Sequence, residues 1–487
     1  MAQILLINPQ VELGRKIKGT RSYPAPLGLL SIGSYLVNRG YSVTLINAIT
    51  EDEPMNKIIQ EAKDAKYVGL TMMTAQIPHA LMISDKLKEM GKTIIFGGIH
   101  AELFKEQTCG DKSVDYVVYG EGEKTFFELI ESLEKGKSVE NITGLAYKKG
   151  DKVIVNPARE LLSVEEIPDP NYGLIDLKRK FRAKPRTLEL ETSRGCPYQC
   201  RFCIDTIGWR RKWRAMPAER VLRILERMKQ DYDVEVVLFR EENFFIDKKR
   251  VEQIADGLIE KKLNIKWVTN VRADCFRDGY IDDAFMEKLK KSGASVFYIG
   301  VESGSDKIRE YMKKEITSEH IYRSVELCGK YDVECKMGFM IGYPTETRKD
   351  MFDTISMINK MIKVNPNTII NGPVPFRPYP GASVYEFCIS SGLHEPKTLR
   401  EWAKDTDFSA YLSVNGFPWV EKENRDIVAN LGRYTTLAVS QWSRIIRFSS
   451  LLIIPALLCK LRWKLKFFKY PFDHLLYKFV TRKMPIY

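Results

Sequence analysis

Three thiols stand together in Cys196-Pro197-Tyr198-Gln199-Cys200-Arg201-Phe202-Cys203. Thiolates on one loop suit three irons of a [4Fe–4S] cube and leave the fourth iron without a protein ligand, free to chelate a small molecule. A structural zinc ion is the bland alternative, but it needs a fourth ligand. No His falls within 90 residues of the loop, and the next cysteine is Cys275. The other cysteines are scattered, and Met1-Ala2-Gln3 leads straight into apolar Ile4–Ile7 rather than a secretory signal. Reduced thiols in the cytoplasm are therefore expected, holding metal rather than forming disulfides.

Two series of alternating patterns must position this loop. In the first 150 residues, short apolar runs at 4–8, 43–47, 67–73, 93–97 and 116–119 read as buried parallel strands. Helical stretches at 27–39, 54–65, 76–90 and 123–135 separate them. Such a series predicts a doubly wound sheet whose ligand crevice lies at the carboxyl ends of the strands. Residues 151–186 break the rhythm and read as a linker, into which a hairpin over 145–155 leads, followed by Ile167-Pro168-Asp169-Pro170. Strands near 187–192, 234–239, 266–271, 296–301, 335–341 and 368–376 then predict a partial (β/α)6 barrel over 187–385. The cysteine loop follows the first of these strands, where barrels place their chemistry. The fold class expected is α/β, with a mostly helical extension over 386–487.

The 44% hydrophobic and 29% charged composition is that of a globular chain. Its net charge of +13 is concentrated at one end: residues 441–487 carry ten Lys or Arg and one acid, Asp473. The apolar run 449–459 is too short to span a bilayer, which needs about 20 residues. With basic and aromatic neighbours it suits peripheral contact with anionic lipid on the inner membrane face. A helical subdomain packed on the barrel is the alternative. Trp209-Arg210-Arg211-Lys212-Trp213-Arg214 interleaves base and aromatic as nucleic-acid binders do.

CxxxCxxC behind a barrel strand, with an aromatic before the last Cys, resembles the radical S-adenosylmethionine superfamily. The resemblance implies a unique iron that chelates S-adenosylmethionine, and an electron from the cluster that releases a 5′-deoxyadenosyl radical. It also implies an external one-electron donor of flavodoxin or ferredoxin type. Later strand ends carry further matching motifs. Arg240-Glu241-Glu242-Asn243-Phe244 resembles an acidic-acidic-Asn-Phe segment in which Asp is commoner than Glu, and Arg272 ends the next strand. Gly300-Val301-Glu302-Ser303-Gly304 matches the segment whose Glu lies near the ribose and amino group. Met340-Ile341-Gly342-Tyr343-Pro344-Thr345-Glu346-Thr347 matches the stretch along the adenine. Glu241, Asn243, Arg272, Glu302, Ser303, Met340 and Gly342 are thus implied in S-adenosylmethionine binding. Relatives carry a basic stretch like 209–214 without binding nucleic acid, so none is expected. The tRNA methylthiotransferase branch has extra N-terminal cysteines, whereas this N-terminal domain has only Cys109.

The N-terminal series resembles the cobalamin-binding domain that precedes many of these enzymes. Thr71-Met72-Met73-Thr74, Gly97-Gly98-Ile99-His100, Gly120-Glu121-Gly122-Glu123 and Tyr23-Pro24-Ala25-Pro26-Leu27-Gly28 carry the likeness. Glycines there let backbone approach a flat ligand. Thr71, Thr74, Gly97, Gly98, His100, Gly120, Glu121, Gly122 and Glu123 are thus implied around cobalamin. Domains that supply an axial histidine carry DxHxxG after the first strand. Here the stretch is Asn8-Pro9-Gln10-Val11-Glu12-Leu13, so no histidine of this loop is expected on cobalt.

The expectation is a cobalamin-dependent radical enzyme that methylates an unactivated carbon of a small-molecule or lipid-like substrate. The rivals are an oxidative cyclase of the anaerobic Mg-protoporphyrin monomethyl ester type and a cobalamin- or redox-sensing protein without turnover.

Overall fold

A computed structural model describes residues 3–11, 23–182, 184–206, 211–405, 417–439 and 453–469. The chain divides into two compact units, 1–190 with 395–411, and 191–394 with 412–487.

The first unit is built on seven strands: β1 (Gln3–Asn8), β2 (Ser42–Asn47), β3 (Ala65–Thr71), β4 (Thr93–Gly97), β5 (Tyr116–Val118), β6 (Leu145–Lys149) and β7 (Lys152–Val155). Their order is β2-β1-β3-β4-β5-β6-β7. The first five pair in parallel, with Ile4 opposite Val43 and Tyr67. β6 and β7 add antiparallel, as a hairpin. One apolar cluster, with Leu5, Ile7, Val68, Leu70 and Phe96, covers one face, and a second, with Ile4, Leu6, Tyr67 and Ile95, covers the other. Burial on both faces explains why these strands read as continuous apolar runs rather than alternating ones. The order reverses between β1 and β3, and in open α/β sheets such a switch point opens a crevice at the strands' carboxyl ends.

Residues 151–186, expected as a linker, belong to this unit. Tyr172 donates its hydroxyl to Glu189 O, and Lys180 pairs with the Glu189 carboxylate at 2.8 Å. Part of the expected C-terminal extension joins it too. Arg400, in the helix Leu399–Asp405, grips Asp85 and Asp111 at 2.7 Å each, and Trp402 packs edge-on against His100.

The second sheet has the order β15-β14-β13-β12-β11-β8. Its strands are β8 (Thr187–Leu190), β11 (Val236–Phe239), β12 (Lys266–Val271), β13 (Ala294–Glu302), β14 (Glu334–Ile341) and β15 (Ile369–Pro375). Between β8 and β11 lies a two-residue ribbon, β9 (Ser193–Arg194) with β10 (Arg214–Ala215). β11 to β15 pair in parallel. The helix Arg425–Val439 packs on β15, where Gly432 leaves no room for a side chain against Pro373 O. No described helix is long and apolar enough to cross a membrane. Of the base-and-aromatic stretch, Trp209 and Arg210 lie outside the described residues, and Arg214 pairs with Arg194. Of the tail 441–487, residues 441–452 and 470–487 lie outside them.

Candidate active site

The cysteine loop leaves β9 through Gly195, whose φ of 83° is natural only for glycine. Cys203 N donates to Cys200 O at 3.0 Å, Arg201 N to Met312 O at 2.9 Å, and Val384 N to Arg201 O at 3.2 Å. The loop is thus tied to the turns after two later elements. Phe202 packs on a cluster that includes Met312, Tyr343 and Phe376, with Met340 at its edge. That packing gives the loop a dry flank.

None of the three cysteines is in a disulfide. Burial raises the Cys196 thiol and pushes Cys203 up to about 12. Neutral thiols are the stable form until something compensates the charge of thiolates. Two buried cations lie beside the loop, each also paired with a carboxylate: Arg272 with Asp274 at 3.0 Å, and Lys314 with Glu302. Arg272 Nη1 lies 3.8 Å from Cys200 Sγ, its Nη2 donates to Lys314 O at 2.6 Å, and its guanidinium covers the Tyr198 ring at 3.6 Å. Lys314 Nζ lies 2.8 Å from Glu302 Oε1. Burial opposes the Lys314 charge, but Glu302 and Cys200 outweigh it and hold its pKa above the usual value. The donor set therefore fits an anionic thiolate-ligated cluster.

The sequence-predicted residues divide in two. Arg272, Glu302 and Cys200 come together around Lys314, and Glu302 has a left-handed φ of 70°, at the register shift where β13 meets β14. Non-glycine residues hold such a conformation only where their surroundings enforce it. Met340 borders the dry cluster beside Phe202. Gly342, with φ of 77°, gives its carbonyl to Trp419 Nε1 at 2.9 Å.

The side chains of Glu241 and Ser303 are hydrogen-bonded within the protein. Glu241 is buried, accepts from Thr192 N at 3.0 Å, and takes the hydroxyls of Thr192 and Ser193, so it anchors the approach to the cysteine loop. Ser303 is fully enclosed, with Oγ accepting from Ser305 N. Asn243 Oδ1 accepts from Phe245 N, while its buried Nδ2 has no partner among the described residues.

In the first unit, Gly98 and Gly120 both have left-handed φ. A Cβ on Gly98 would meet Met72 N and Thr71 Oγ1 at 2.7 Å, so the loops after β3 and β4 interlock. Gly28 and Gly120 have nothing within 4 Å of where a Cβ would stand. The exposed side chain of Met73 crests the loop after β3. Thr74 Oγ1 lies 3.1 Å from His100 Nδ1. Glycines at these strand ends leave backbone that a flat ligand can approach closely.

Three side chains expected to face it are instead engaged by protein. His100 is fully buried against Phe104 and Trp402, and burial pushes its pKa down to about 3. Glu121 accepts from Leu162 N at 2.9 Å and Glu123 from Ser31 Oγ at 2.6 Å. Gln10 N donates to His79 Nδ1 at 2.7 Å, and Gln76 donates to Asn8 Oδ1 and Pro9 O, which pins the loop after β1. Glu12 and Leu13 lie outside the described residues.

Sequence reasoning missed Lys314, Arg250, Glu346 and Glu242. Arg250 donates to Met216 O and Thr192 O, opposite Glu241. Glu346 accepts from Gly342 N at 2.5 Å and Tyr343 N at 3.2 Å, and burial pushes its carboxyl up to about 8. Glu242 is reachable by solvent, yet crowding by protein and the Asp205 charge push it up to about 7. The only signal in the sequence was the Glu-Glu pair and the Pro-Thr-Glu-Thr turn; nothing marked Lys314.

Residues 190–358 match the family model described as the radical SAM superfamily, and residues 20–130 match the B12 binding domain. The chain is 31% identical to an uncharacterized methyltransferase, PH0819, of Pyrococcus horikoshii, covering 85% of this chain and 88% of that one. It is 21% identical to the anaerobic magnesium-protoporphyrin IX monomethyl ester cyclase of Synechocystis, covering 76% and 74%. Among solved structures it resembles the cobalamin-dependent S-adenosylmethionine radical enzyme OxsB, with a TM-score of 0.70, 21% identity, and coverage of 100% of this chain and 74% of that one.

Proposed function

The chain belongs to the cobalamin-binding radical S-adenosylmethionine enzymes, and on that premise we propose that it methylates an unactivated carbon of a small, lipid-like molecule. Its cofactors are a [4Fe–4S] cluster, S-adenosylmethionine and cobalamin. When bound, the cluster and S-adenosylmethionine supply a 5′-deoxyadenosyl radical, and cobalamin carries the methyl group.

In this reading Cys196, Cys200 and Cys203 hold the cluster, and Arg272 and Lys314 balance its charge. Glu302 receives the polar end of S-adenosylmethionine, and the backbone from Met340 to Gly342 lies along its adenine. Asn243, whose Nδ2 has no partner among the described residues, supplies a further donor. Thr71, Thr74, Gly97, Gly98, Gly120 and Gly122 line the corrin. A one-electron donor of flavodoxin or ferredoxin type reduces the cluster from outside.

The observation that carries the reading is the buried arrangement of Cys200, Arg272, Lys314 and Glu302, which brings a cluster-loop thiol, two cations and a carboxylate together. Methyl transfer is favoured over cyclisation by the 31% relative. The cyclase reading draws on the 21% relative. The test is anaerobic turnover with methyl-labelled S-adenosylmethionine and lipid or tetrapyrrole extracts. Label in a product gaining the mass of a methyl group supports the proposal. An unlabelled, oxidised product would replace it with the cyclase reading, and absence of 5′-deoxyadenosine from reduced, reconstituted protein would leave only a sensor.

A further inference from the structure

The helix Ile453–Leu465 has two apolar faces, and protein accounts for one of them. Ala456, Cys459 and Trp463 are buried, Trp463 Nε1 donates to Asn359 Oδ1 at 2.8 Å, and Asn430 Nδ2 donates to Phe468 O at 3.1 Å. These contacts fix the helix's rotation about its own axis. The opposite face carries Ile454, Leu457, Leu461 and Leu465, spaced as one stripe, and Phe467 continues it; all are between 45% and 65% exposed. A large apolar stripe held outward by its own anchoring is unusual on a soluble surface.

The charge around it selects the occupant. Residues 453–469 contain five Lys or Arg and no acid, and Lys464, Lys466 and Lys469 are exposed. A second copy seated on the stripe by two-fold symmetry would bring these rows of like charge together, which disfavours self-association. An anionic bilayer offers apolar depth to the leucines and phosphate to the lysines. We propose that this outward face docks the enzyme on an anionic lipid surface, with the helix lying in the interface. The proposal is independent of which reaction the barrel performs.

The test is flotation of the full-length protein with vesicles of phosphatidylcholine alone or with phosphatidylglycerol, at low and high salt. Binding is expected to need the anionic lipid and to weaken with salt. Leu457→Glu with Leu461→Glu should lower the bound fraction at least about tenfold, whereas Ile259→Glu, at an exposed apolar position of another helix, should not change it. Circular dichroism should show each variant folded, as expected for changes at exposed sites. Failure to float with any anionic fraction overturns the proposal, as does equal binding of the double variant. A concentration-dependent dimer that the double variant abolishes would assign the stripe to a second copy instead.

Discussion

Replacing Lys314 with Met tests the electrostatics at the cysteine loop most directly. Its Nζ lies 2.8 Å from Glu302 Oε1, and the two side chains are only 10% and 13% exposed. At an effective dielectric near 20, that separation is an attraction of about 6 kcal/mol, which desolvation of both ions largely offsets. The net worth of such a pair is therefore small, but breaking it is not. Methionine fills the space of the lysine stem and leaves the Glu302 carboxylate buried without its partner, costing about 3–5 kcal/mol. The Arg272 contact to the Lys314 carbonyl is to backbone and survives. A chain of two units need not unfold in one step, so the local free energy is read from hydrogen exchange of the β13 and β14 amides in cofactor-free protein. Lys314→Met should lower it by about 3 kcal/mol or more. Adding Glu302→Gln should return part of that loss, with a coupling of about 1–3 kcal/mol. A loss under about 1 kcal/mol, or strictly additive effects, would show that the two charges do not depend on each other and would remove the argument that Lys314 governs Glu302.

Cys200→Ala removes the thiol beside Arg272, so reconstituted protein should lose iron and acid-labile sulfide and form no 5′-deoxyadenosine, which iron assay and chromatography would check. Glu346, raised from the ordinary 4.5 to about 8, binds more protons folded than unfolded. Its contribution to stability is present at low pH and is lost as pH rises from 4.5 towards 8, by up to about 1.4 kcal/mol per pH unit. Glu346→Gln should flatten that slope in urea titrations of the second unit. His79 and His100, held down at about 4 and about 3, have the opposite sign. They stabilise the first unit above pH 6.5 and lose that effect as pH falls towards 4, so acid should open β1 and β3 amides early in hydrogen exchange. Arg400→Ala breaks a half-exposed pairing with two carboxylates and should cost about 1–2 kcal/mol in the first unit, read from exchange in the helix Ile77–Glu89, which carries Asp85.

Much of the site was readable because its signals are local. Three thiols within eight residues can meet only on one loop, and apolar runs too short for helices, separated by helical periodicity, leave a parallel sheet as the main option. Strand ends and motifs then coincide by the geometry of βα units alone. What the residues did not reveal is which polar side chains turn inward to ligand and which to protein. Glu241 and Glu302 are both acids at strand ends, but Glu241 meets Thr192 and Ser193, whereas Glu302 meets a lysine twelve residues on.

Amino-acid order alone therefore determined the chemistry on offer and the strands that carry it: cysteine spacing, glycine turns and strand periodicity are properties of neighbours in the chain. Tertiary structure decided how that chemistry is balanced. Lys314 becomes the counter-charge of the site because a turn between two helices folds back onto the cysteine loop through Met312, and His100 is withdrawn because Trp402, some 300 residues later, covers it. Electrostatic and packing energies depend on distance in space, and no pattern of neighbouring residues encodes contacts closed by folding across such separations.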